Sequence, residues 1–245
     1  MVQRITIDAD QRQERCLLLR ADQAHYLRRV LRLNAGDRFI AQDGKGEQWL
    51  AALSDRTDQA HLLEAITSSS TLATAAPIRL AAALPKGNSF DQVVRQATEL
   101  GVTHIYPILS DRTLLKPSSN KLARWQRIAQ EASEQSERTT VPEILSPIDF
   151  QQFIIQSNWA GLRYICATRQ NSSHLLSRIQ SDLLSVDLLD VTLLIGPEGG
   201  WTSAEITVAI ENGYQIVSLG SAVLRAVTAS VTALSLVAAA RDLLI

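Results

Sequence analysis

Two glycine-bearing loops, each directly after a run of apolar residues, place the strongest limit on the fold of this chain. The run Leu193–Ile195 leads into Gly196–Gly200, and a second run ends at Leu219 and Gly220. In open α/β sheets, ligands bind beyond the carboxyl ends of the strands, where glycines let backbone groups approach them closely. The sequence therefore predicts a ligand pocket built from the two loops.

Composition limits the classes of protein to which this pocket can belong. The chain has 245 residues, of which 46% are hydrophobic and 20% charged, so it is globular and long enough for one or two domains. Its start lacks the apolar segment of a signal peptide, and no apolar run reaches membrane-spanning length. We therefore expect a cytoplasmic protein with no membrane association. The formal net charge of −1 argues against indiscriminate nucleic-acid binding and permits a local basic patch.

The two cysteines do not indicate a disulfide or a zinc site. Cys16 and Cys166 lie in apolar, strand-like runs that the pattern assigns to different domains. We expect both to be buried structural residues, and we expect no metal cofactor.

The pattern of the chain changes at a Ser/Thr-rich segment, residues 67–71. Before it, short strand-like runs are separated by turn residues, which predicts a small β-barrel over residues 1–70. After it, strand-like and helical runs alternate, which predicts an α/β domain with a mostly parallel sheet over residues 71–245. The strand-like runs are 16–19, 38–41, 49–53 and 61–66 in the first domain, and 78–84, 103–109, 162–167, 191–195 and 215–219 in the second.

Capping residues place helices in the second domain. Ser89 with Gln92, and Thr202 with Glu205, have the spacing of a capping box, in which two side chains satisfy free backbone N–H groups. A glycine follows each of these helices, where it commonly ends one. A final helix with an apolar stripe is predicted over residues 227–244.

Several longer segments, in a fixed order along nearly the whole chain, resemble a known family. They are His25–Leu33 with Gly36 and Asp37, Lys86–Gly87, Gln96–Val102, Arg124–Arg138 with Pro142–Ile144, and Ile195–Gly200. The chain is similar to the bacterial small-subunit ribosomal RNA methyltransferases called RsmE. These enzymes methylate the N3 of one uridine and belong to the knotted SPOUT class.

The resemblance implies both a fold and a methyl donor. The fold would be a PUA-like β-barrel RNA-binding domain followed by a SPOUT methyltransferase domain with a deep C-terminal trefoil knot. S-adenosylmethionine would bind in the knot, held largely by backbone groups of the two glycine loops. The substrate would be 16S ribosomal RNA or the 30S particle, and the enzyme would be a homodimer. The positions carried over for donor binding are Leu84, Ile195, Gly196, Gly200, Leu219, Gly220 and Leu224.

Two charged residues near the glycine loops are candidates for the chemistry. Methyl transfer to uridine N3 requires loss of the N3 proton, with the nitrogen in line with the methyl group. Arg225 is our candidate for stabilising the negative charge that develops on a uracil carbonyl oxygen. Glu198 is a candidate for accepting the proton or for holding the donor's ammonium group. Alternatively, Arg225 pairs with a carboxylate and Glu198 bonds the backbone of its own loop.

Basic residues in the family-like segments are candidates for binding RNA phosphates. Taken singly, each is more often a solvated surface charge. Trp125 is expected in the core, whereas Trp201, directly after Gly200, could stack on a base. The basic candidates are Arg28, Arg29, Arg32, Lys86, Arg112, Lys116 and Arg138.

The second glycine loop departs from the family pattern. Where many relatives have an arginine, a threonine and a glutamate, this chain has Ala222, Ala226 and Val227. Two functions therefore stay open: a uridine-N3 methyltransferase, favoured by the retained glycines and Arg225, and a catalytically weakened RNA-binding or ribosome-assembly protein. A small-molecule methyltransferase is a weaker hypothesis, because the N-terminal barrel would then have no task. A dinucleotide site is not favoured, because no G-x-G-x-x-G follows a strand.

Overall fold

The computed structural model describes residues 2–66, 76–113, 117–157, 159–168, 170–183 and 190–243. The chain forms two compact units, Met1–Thr74 with Ser133–Val141, and Ala75–Ala132 with Pro142–Ile245. The sequence pattern assigned residues 133–141 to the second domain, but they group with the first unit. The predicted boundary at residue 70 lies outside the described residues, as does the Ser/Thr-rich segment, and it stays a prediction.

The first unit contains a single six-stranded sheet. Its strands are β1 (Arg4–Thr6), β2 (Arg12–Gln13), β3 (Cys16–Leu18), β4 (Arg38–Gln42), β5 (Gln48–Leu53) and β6 (Gln59–Ile66). Their order is β1-β4-β5-β6-β3-β2, and every pair is antiparallel except β1 with β4. The four predicted strands are confirmed as β3 to β6. The other two were missed because they are too short to show an alternating pattern. Closure of the sheet into a barrel stays a prediction.

The interior of the first unit is mainly apolar, and the buried polar residues within it include two glutamines that bond each other. Gln11 Nε2 donates to Gln23 Oε1 at 2.7 Å, and Gln23 Nε2 donates to the Thr6 carbonyl at 2.9 Å. Buried amide groups need hydrogen-bond partners. Here the partners lie on different elements, so the bonds join the two helical elements of this unit to β1. Those elements are the 3-10 helix Ala9–Gln11 and α1 (Ala21–His25), which continues as a π-helical turn over Tyr26–Val30. The core includes Ile5, Leu17, Leu27, Phe39 and Leu53.

The second unit is built on a parallel sheet of seven strands. They are β7 (Ile78–Ala83), β8 (His104–Leu109), β9 (Glu143–Ile144), β10 (Ile148–Asp149), β11 (Leu162–Cys166), β12 (Val191–Ile195) and β13 (Gln215–Val217). The order is β10-β8-β7-β12-β11-β13, and β9 also pairs with β8. All of these pairs are parallel, which confirms the predicted sheet. The five predicted strands are found with nearly the predicted ends.

Helices cover this sheet in two groups. The helices are α2 (Ser89–Glu99), α3 (Ser119–Gln135), α4 (Phe150–Gln156), α5 (Leu175–Asp182), α6 (Ser203–Glu211) and α7 (Ala226–Asp242). Helices α2 and α5 contact α7, which packs on β7 and β12, while α4 packs on β8 and β10 and contacts α6. Such cover suits a parallel sheet, whose strands are apolar on both faces. Among the helices that the structure describes, none combines the length and hydropathy needed to cross a membrane.

One of the two predicted capping boxes is present. The Thr202 hydroxyl accepts from the Glu205 amide at 3.2 Å, and the Glu205 carboxylate accepts from the Thr202 amide at 2.7 Å. The box predicted at Ser89 is wrong, because Asn88 is the N-cap and its carbonyl accepts the first bond of the turn, from Asp91. Helices α4 and α5 were not predicted, since runs this short show no clear helical period.

Trp125 lies in the core, as predicted. It is 2% exposed, and its ring centroid lies 4.6 Å from that of Phe90. Its Nε1–H donates to Asp91 Oδ1 at 3.0 Å, and Arg124 Nε donates to Asp91 Oδ2 at 2.8 Å. Asp91 therefore ties α3 to α2.

A close backbone contact joins the starts of β11 and β12. Gly161 has a φ of +104°, and a Cβ at this position would lie 2.5 Å from the Asp190 carbonyl oxygen. The same oxygen accepts from the Leu162 amide at 2.8 Å, and the Asp190 carboxylate pairs with Arg79. Both the space and the backbone conformation therefore require glycine at position 161.

We predict that Gly161→Ala lowers the free energy of unfolding more than Gly101→Ala does. Gly101 is a matched control in the same unit, with φ +89° and no atom within 4 Å of an added Cβ. Each variant loses about 1 kcal/mol to the left-handed backbone conformation. Gly161→Ala loses a further ~1–3 kcal/mol because the strand starts must separate. Urea denaturation measures both, and equal losses would contradict the contact.

Candidate functional site

A cleft of about 320 Å³ opens at the carboxyl ends of three strands of the second unit. These strands, β12, β11 and β13, are neighbours in the sheet, with β11 in the middle. The cleft is lined by Arg112, Cys166, Ala167, Thr168, Gln170, Ile195–Trp201, Ser203, Ile206, Leu219, Gly220, Ala222–Leu224, Ala226 and Ala229. The predicted meeting of the two glycine loops is confirmed.

Six of the seven positions proposed for donor binding line this cleft. They are Ile195, Gly196, Gly200, Leu219, Gly220 and Leu224. The seventh, Leu84, does not line it. Leu84 is 3% exposed, and its amide donates to the Ile108 carbonyl at 3.1 Å, so it extends the pairing of β7 with β8.

The loop after β11 is a third wall that the sequence did not reveal. Cys166, Ala167, Thr168 and Gln170 all line the cleft. The strand itself was predicted, but no local pattern says that β11 lies between β12 and β13. Because ligands bind beyond the carboxyl ends of neighbouring strands, this order alone brings the loop into the site.

Local geometry explains the glycines of the two loops. Gly200 has φ +68° and donates its amide to the Pro197 carbonyl at 2.8 Å, and Gly220 has φ +125°. Gly196 has no unusual φ, but a Cβ there would lie 3.3 Å from the indole of Trp201. The first two glycines are needed for conformation, and Gly196 is needed for space.

Bonds from the loop after β8 fasten the first glycine loop. The Arg112 guanidinium donates to the Gly199 carbonyl, and the Thr202 hydroxyl donates to Asp111 Oδ2 at 3.1 Å. Glu205 is 4% exposed and accepts from the Asp111 amide at 3.0 Å as well as from Thr202. One buried carboxylate therefore holds the start of α6 and the neighbouring loop together.

Of the two candidates for the chemistry, one lines the cleft and the other does not. Glu198 lines the cleft and is exposed, and its Oε1 accepts from the Lys86 amide at 3.2 Å. It therefore bonds a neighbouring loop rather than the backbone of its own. Arg225 is exposed and is the N-cap residue of α7. It does not line the cleft, although Leu224 and Ala226 on either side of it do.

Cys166 brings a thiol into the cleft wall at the end of β11. Both cysteines are free and partly buried. Burial raises the pKa of the Cys166 thiol to about 12. The thiol is therefore neutral at physiological pH, which makes it a poor nucleophile and a poor metal ligand. Among the residues that the structure describes, no group of three or more His, Cys, Asp or Glu side chains could hold a metal ion.

The basic candidates for RNA binding differ in their environments. The Arg28 guanidinium donates to the carbonyls of Ser54, Arg56 and Thr57, at 2.7 to 3.1 Å, so it stabilises a turn. Burial lowers the pKa of Arg138 to about 10. The exposed candidates are Arg29, Arg32, Lys86 and Arg112. Lys116 lies outside the described residues.

Trp201 is placed differently from the expectation that it could stack on a base. It is 7% exposed, and its ring centroid lies 5.1 Å from that of Phe150. The ring packs in the core beneath the glycine loop, so its faces are not available to an RNA base.

Two family models match this chain, one on each side of the change in sequence pattern at residues 67–71. The one described as an RNA methyltransferase domain matches residues 73–238, and the one described as an RNA methyltransferase PUA domain matches residues 19–63. The chain therefore combines an RNA methyltransferase domain with an RNA methyltransferase PUA domain.

Relatives and solved structures narrow the class to one family. The chain is 46% identical to Ribosomal RNA small subunit methyltransferase E of Synechocystis sp., over 96% of this chain and 77% of the relative. It is 30% identical to the protein of that name from Bacillus subtilis, over 91% of this chain and 90% of the relative. A crystal structure of a Ribosomal RNA small subunit methyltransferase E from Neisseria gonorrhoeae, bound to S-adenosyl methionine, matches with a TM-score of 0.83 at 27% identity. That match covers 99% of this chain and 98% of the other. The chain belongs to the ribosomal RNA small subunit methyltransferase E family.

We predict that Glu205→Gln lowers the free energy of unfolding by about 1–3 kcal/mol. Each carboxylate oxygen of Glu205 accepts from a backbone N–H, so the NH2 group of the new glutamine would face a donor. Glu211→Gln is the matched control, since Glu211 is exposed at the end of the same helix. It should change stability by less than about 0.5 kcal/mol. Urea denaturation at neutral pH compares the two, and similar values would mean that the buried carboxylate does not hold the loops.

A second prediction concerns the Cys166 thiol. In a Cys16→Ser variant, the rate of alkylation by iodoacetamide should rise about tenfold per pH unit between pH 7 and 10, because only the thiolate reacts. A small free thiol, with a pKa of about 8.5, levels off above pH 9. Mass spectrometry of the intact protein follows the reaction. A plateau near pH 9 would show that burial does not raise the pKa.

Proposed function

We propose that this protein transfers a methyl group from S-adenosylmethionine to the N3 of a uridine in 16S ribosomal RNA. The observation that carries the proposal is the cleft at the ends of β11, β12 and β13, in which two glycine loops meet. Further support comes from the family, whose Neisseria gonorrhoeae member has been crystallised with S-adenosyl methionine.

The cleft is suited to the methyl donor. Its volume of about 320 Å³ falls within the range of small-molecule sites. Ile195, Ile206 and Leu224 supply apolar wall for a purine ring. Gly196 and Gly220 leave backbone groups open to close approach, so the chain's own N–H and C=O groups would orient the donor. S-adenosylmethionine supplies an activated methyl group on a sulfonium, and no metal is needed for the transfer.

The fold would include the deep trefoil knot that the family resemblance implies. The strand order supports it, since β12 is inserted between β7 and β11 and the later β13 lies beyond β11. A homodimer is also proposed from the resemblance. Helix α7 carries several alanines that could pack closely across a dimer interface, at positions 233, 238, 239 and 240. Two of them, Ala233 and Ala240, are already buried within the chain, so they add no support for the dimer. We expect the protein to be located in the cytoplasm, together with its ribosomal substrate.

Methyl transfer breaks the carbon–sulfur bond of the sulfonium and forms a carbon–nitrogen bond at N3, while the N3 proton leaves. The products are S-adenosylhomocysteine, N3-methyluridine and a proton. We assign to Arg225 the stabilisation of charge on the uracil carbonyl, because it is exposed and follows a cleft residue directly. Glu198 is assigned to the proton or the donor's ammonium group, because its carboxylate lies in the cleft wall.

RNA would be bound through phosphate contacts that position an unstacked uridine. Arg29 and Arg32 on the PUA-like unit and Lys86 on the methyltransferase unit would contact phosphates, because all three are exposed. Arg112 is exposed as well, but its guanidinium already donates to the Gly199 carbonyl, so it would contribute less. Arg28 and Arg138 have internal partners or partial burial and would contribute less. Lys116 stays a candidate from the sequence.

A catalytically weakened RNA-binding protein is the alternative. The observation that favours it is that Ala222 and Ala226 line the cleft where many relatives have larger polar side chains. Nucleoside mass spectrometry distinguishes an active methyltransferase from a catalytically weakened RNA-binding protein. Small-subunit particles from a strain lacking this gene are incubated with the protein and S-adenosylmethionine, and N3-methyluridine is measured. No methylation, with donor binding intact by calorimetry, would favour the alternative.

We predict that Arg225→Ala lowers the rate of methylation by about 10²–10³-fold, the effect of removing one charge-stabilising group. Its Kd for the donor should stay within about twofold, because Arg225 does not line the cleft. Arg127→Ala is the control, since Arg127 is an exposed arginine on α3. Single-turnover kinetics measure the rate of methylation, and calorimetry measures the Kd for the donor. An unchanged rate would remove Arg225 from the mechanism.

A further inference from the structure

Two side chains of opposite charge line the cleft. Among the lining residues that the structure describes, Arg112 and Glu198 are the ones that carry a charge. The other lining residues are glycines, apolar residues and neutral polar residues. A molecule bound in this cleft therefore meets one cation and one anion, and its remaining contacts are with neutral groups.

The two charged side chains belong to the same part of the cleft. Glu198 directly precedes Gly199 in the chain, and the Gly199 carbonyl accepts a hydrogen bond from the Arg112 guanidinium. A Cβ at position 199 would lie 3.1 Å from Arg112 Cδ, so glycine lets the arginine stem lie against the loop. The guanidinium and the carboxylate are thus presented by neighbouring positions of one loop.

Each of these side chains is held by a neutral backbone group. The Arg112 guanidinium has five N–H donors, and its bond to the Gly199 carbonyl uses one of them. Glu198 Oε1 accepts from the Lys86 amide at 3.2 Å. Because neither backbone partner carries a charge, these bonds fix the two side chains without neutralising them. Both charges are therefore available to a ligand.

Two further carboxylates near Arg112 are bonded within the chain. Asp111 Oδ2 accepts from the Thr202 hydroxyl at 3.1 Å, and Glu205 accepts from the amides of Asp111 and Thr202. Neither Asp111 nor Glu205 lines the cleft. The charges that a ligand meets at the cleft wall are therefore those of Arg112 and Glu198.

The methyl donor has a complementary pair of charges. The methionine half of S-adenosylmethionine ends in an ammonium and a carboxylate on one carbon atom, whereas its adenosine half is uncharged. A guanidinium binds a carboxylate through strong charge-assisted hydrogen bonds, often two in parallel. The uncharged adenosine suits the glycine and apolar parts of the lining, where an ion would lose its hydration without a partner.

We propose that Arg112 and Glu198 together bind the amino-acid end of the methyl donor, Arg112 its carboxylate and Glu198 its ammonium group. This inference rests on the proposed function, because it takes S-adenosylmethionine as the occupant of the cleft. Of the two roles considered above for Glu198, it selects the ammonium group and excludes acceptance of the N3 proton. Both residues are positioning residues for the donor, since they fix the methionine half and with it the direction of the methyl group.

Calorimetry with three ligands tests the two charges separately. The ligands are S-adenosylhomocysteine, its decarboxylated analogue and its deaminated analogue, which share the adenosine and the thioether. Arg112→Met keeps an unbranched stem against Gly199 and removes the guanidinium. The Kd of the two ligands that bear a carboxylate should rise about tenfold more than that of the decarboxylated analogue. Loss of the bond to Gly199 acts on all three ligands alike, so the comparison removes it.

The matching variant at the other charge is Glu198→Gln, which keeps an oxygen that can accept from the Lys86 amide. The Kd of the two ligands that bear an ammonium should rise about tenfold more than that of the deaminated analogue. Arg127→Ala and Glu211→Gln are the controls, since both residues are exposed and neither lines the cleft. Their Kd values should stay within about twofold of the wild type.

Two results would overturn the inference and leave the proposed function standing. An equal rise for all three ligands, in either variant, would mean that the side chain only holds the loop. Unchanged Kd values in Arg112→Met, together with a higher KM for small-subunit particles, would assign Arg112 to RNA phosphates instead. Failure of the wild-type protein to bind S-adenosylhomocysteine would overturn both the inference and the proposed function.

Discussion

The burial of β12 on both faces is the constraint on which the second unit depends. All five of its residues, Val191–Ile195, are buried, and the strand pairs with β7 on one side and β11 on the other. A strand enclosed in this way is mainly apolar, and of the five residues of β12 only Thr192 is polar. Charged and exposed residues can resume only where the strand ends. Gly196 follows directly. The position of the first glycine loop is therefore a consequence of how the sheet is packed.

A small network of polar groups then fixes the conformation of this loop. Glu205 accepts from the amides of Thr202 and Asp111, and Arg112 holds the carbonyl of Gly199. These groups lie on two loops that are distant in the chain, so each bond fixes one loop against the other. Trp201 lies within the same segment and packs in the core against Phe150. The segment is thus held by hydrogen bonds on one side and by this packing on the other.

Much of this site could be predicted from the sequence. The two glycine loops and the Thr202–Glu205 box depend on local pattern, and short-range patterns are visible in a single chain. The family resemblance supplied the positions proposed for donor binding, and six of these seven line the cleft. The sequence did not show that Leu84 lies outside the cleft lining or that Trp201 packs in the core, because burial depends on what packs against a residue from elsewhere in the chain. The substituted positions Ala222 and Ala226 could be read directly, but only the cleft shows that they face a common space.

The sequence alone determined the order of the longer strands, the start of α6, the glycines that follow α2 and α6, and the largely apolar character of the central strands, because these follow from local propensity and periodicity. Tertiary structure decided the strand order β7-β12-β11-β13, which brings Cys166 and Thr168 into the cleft. It also decided that Asp91 bonds Arg124 and Trp125 on α3, and that Glu205 bonds the Asp111 amide in addition to Thr202. The reason is that neighbours distant in sequence, which no local pattern encodes, set the burial, the hydrogen-bond partners and the pKa of each group.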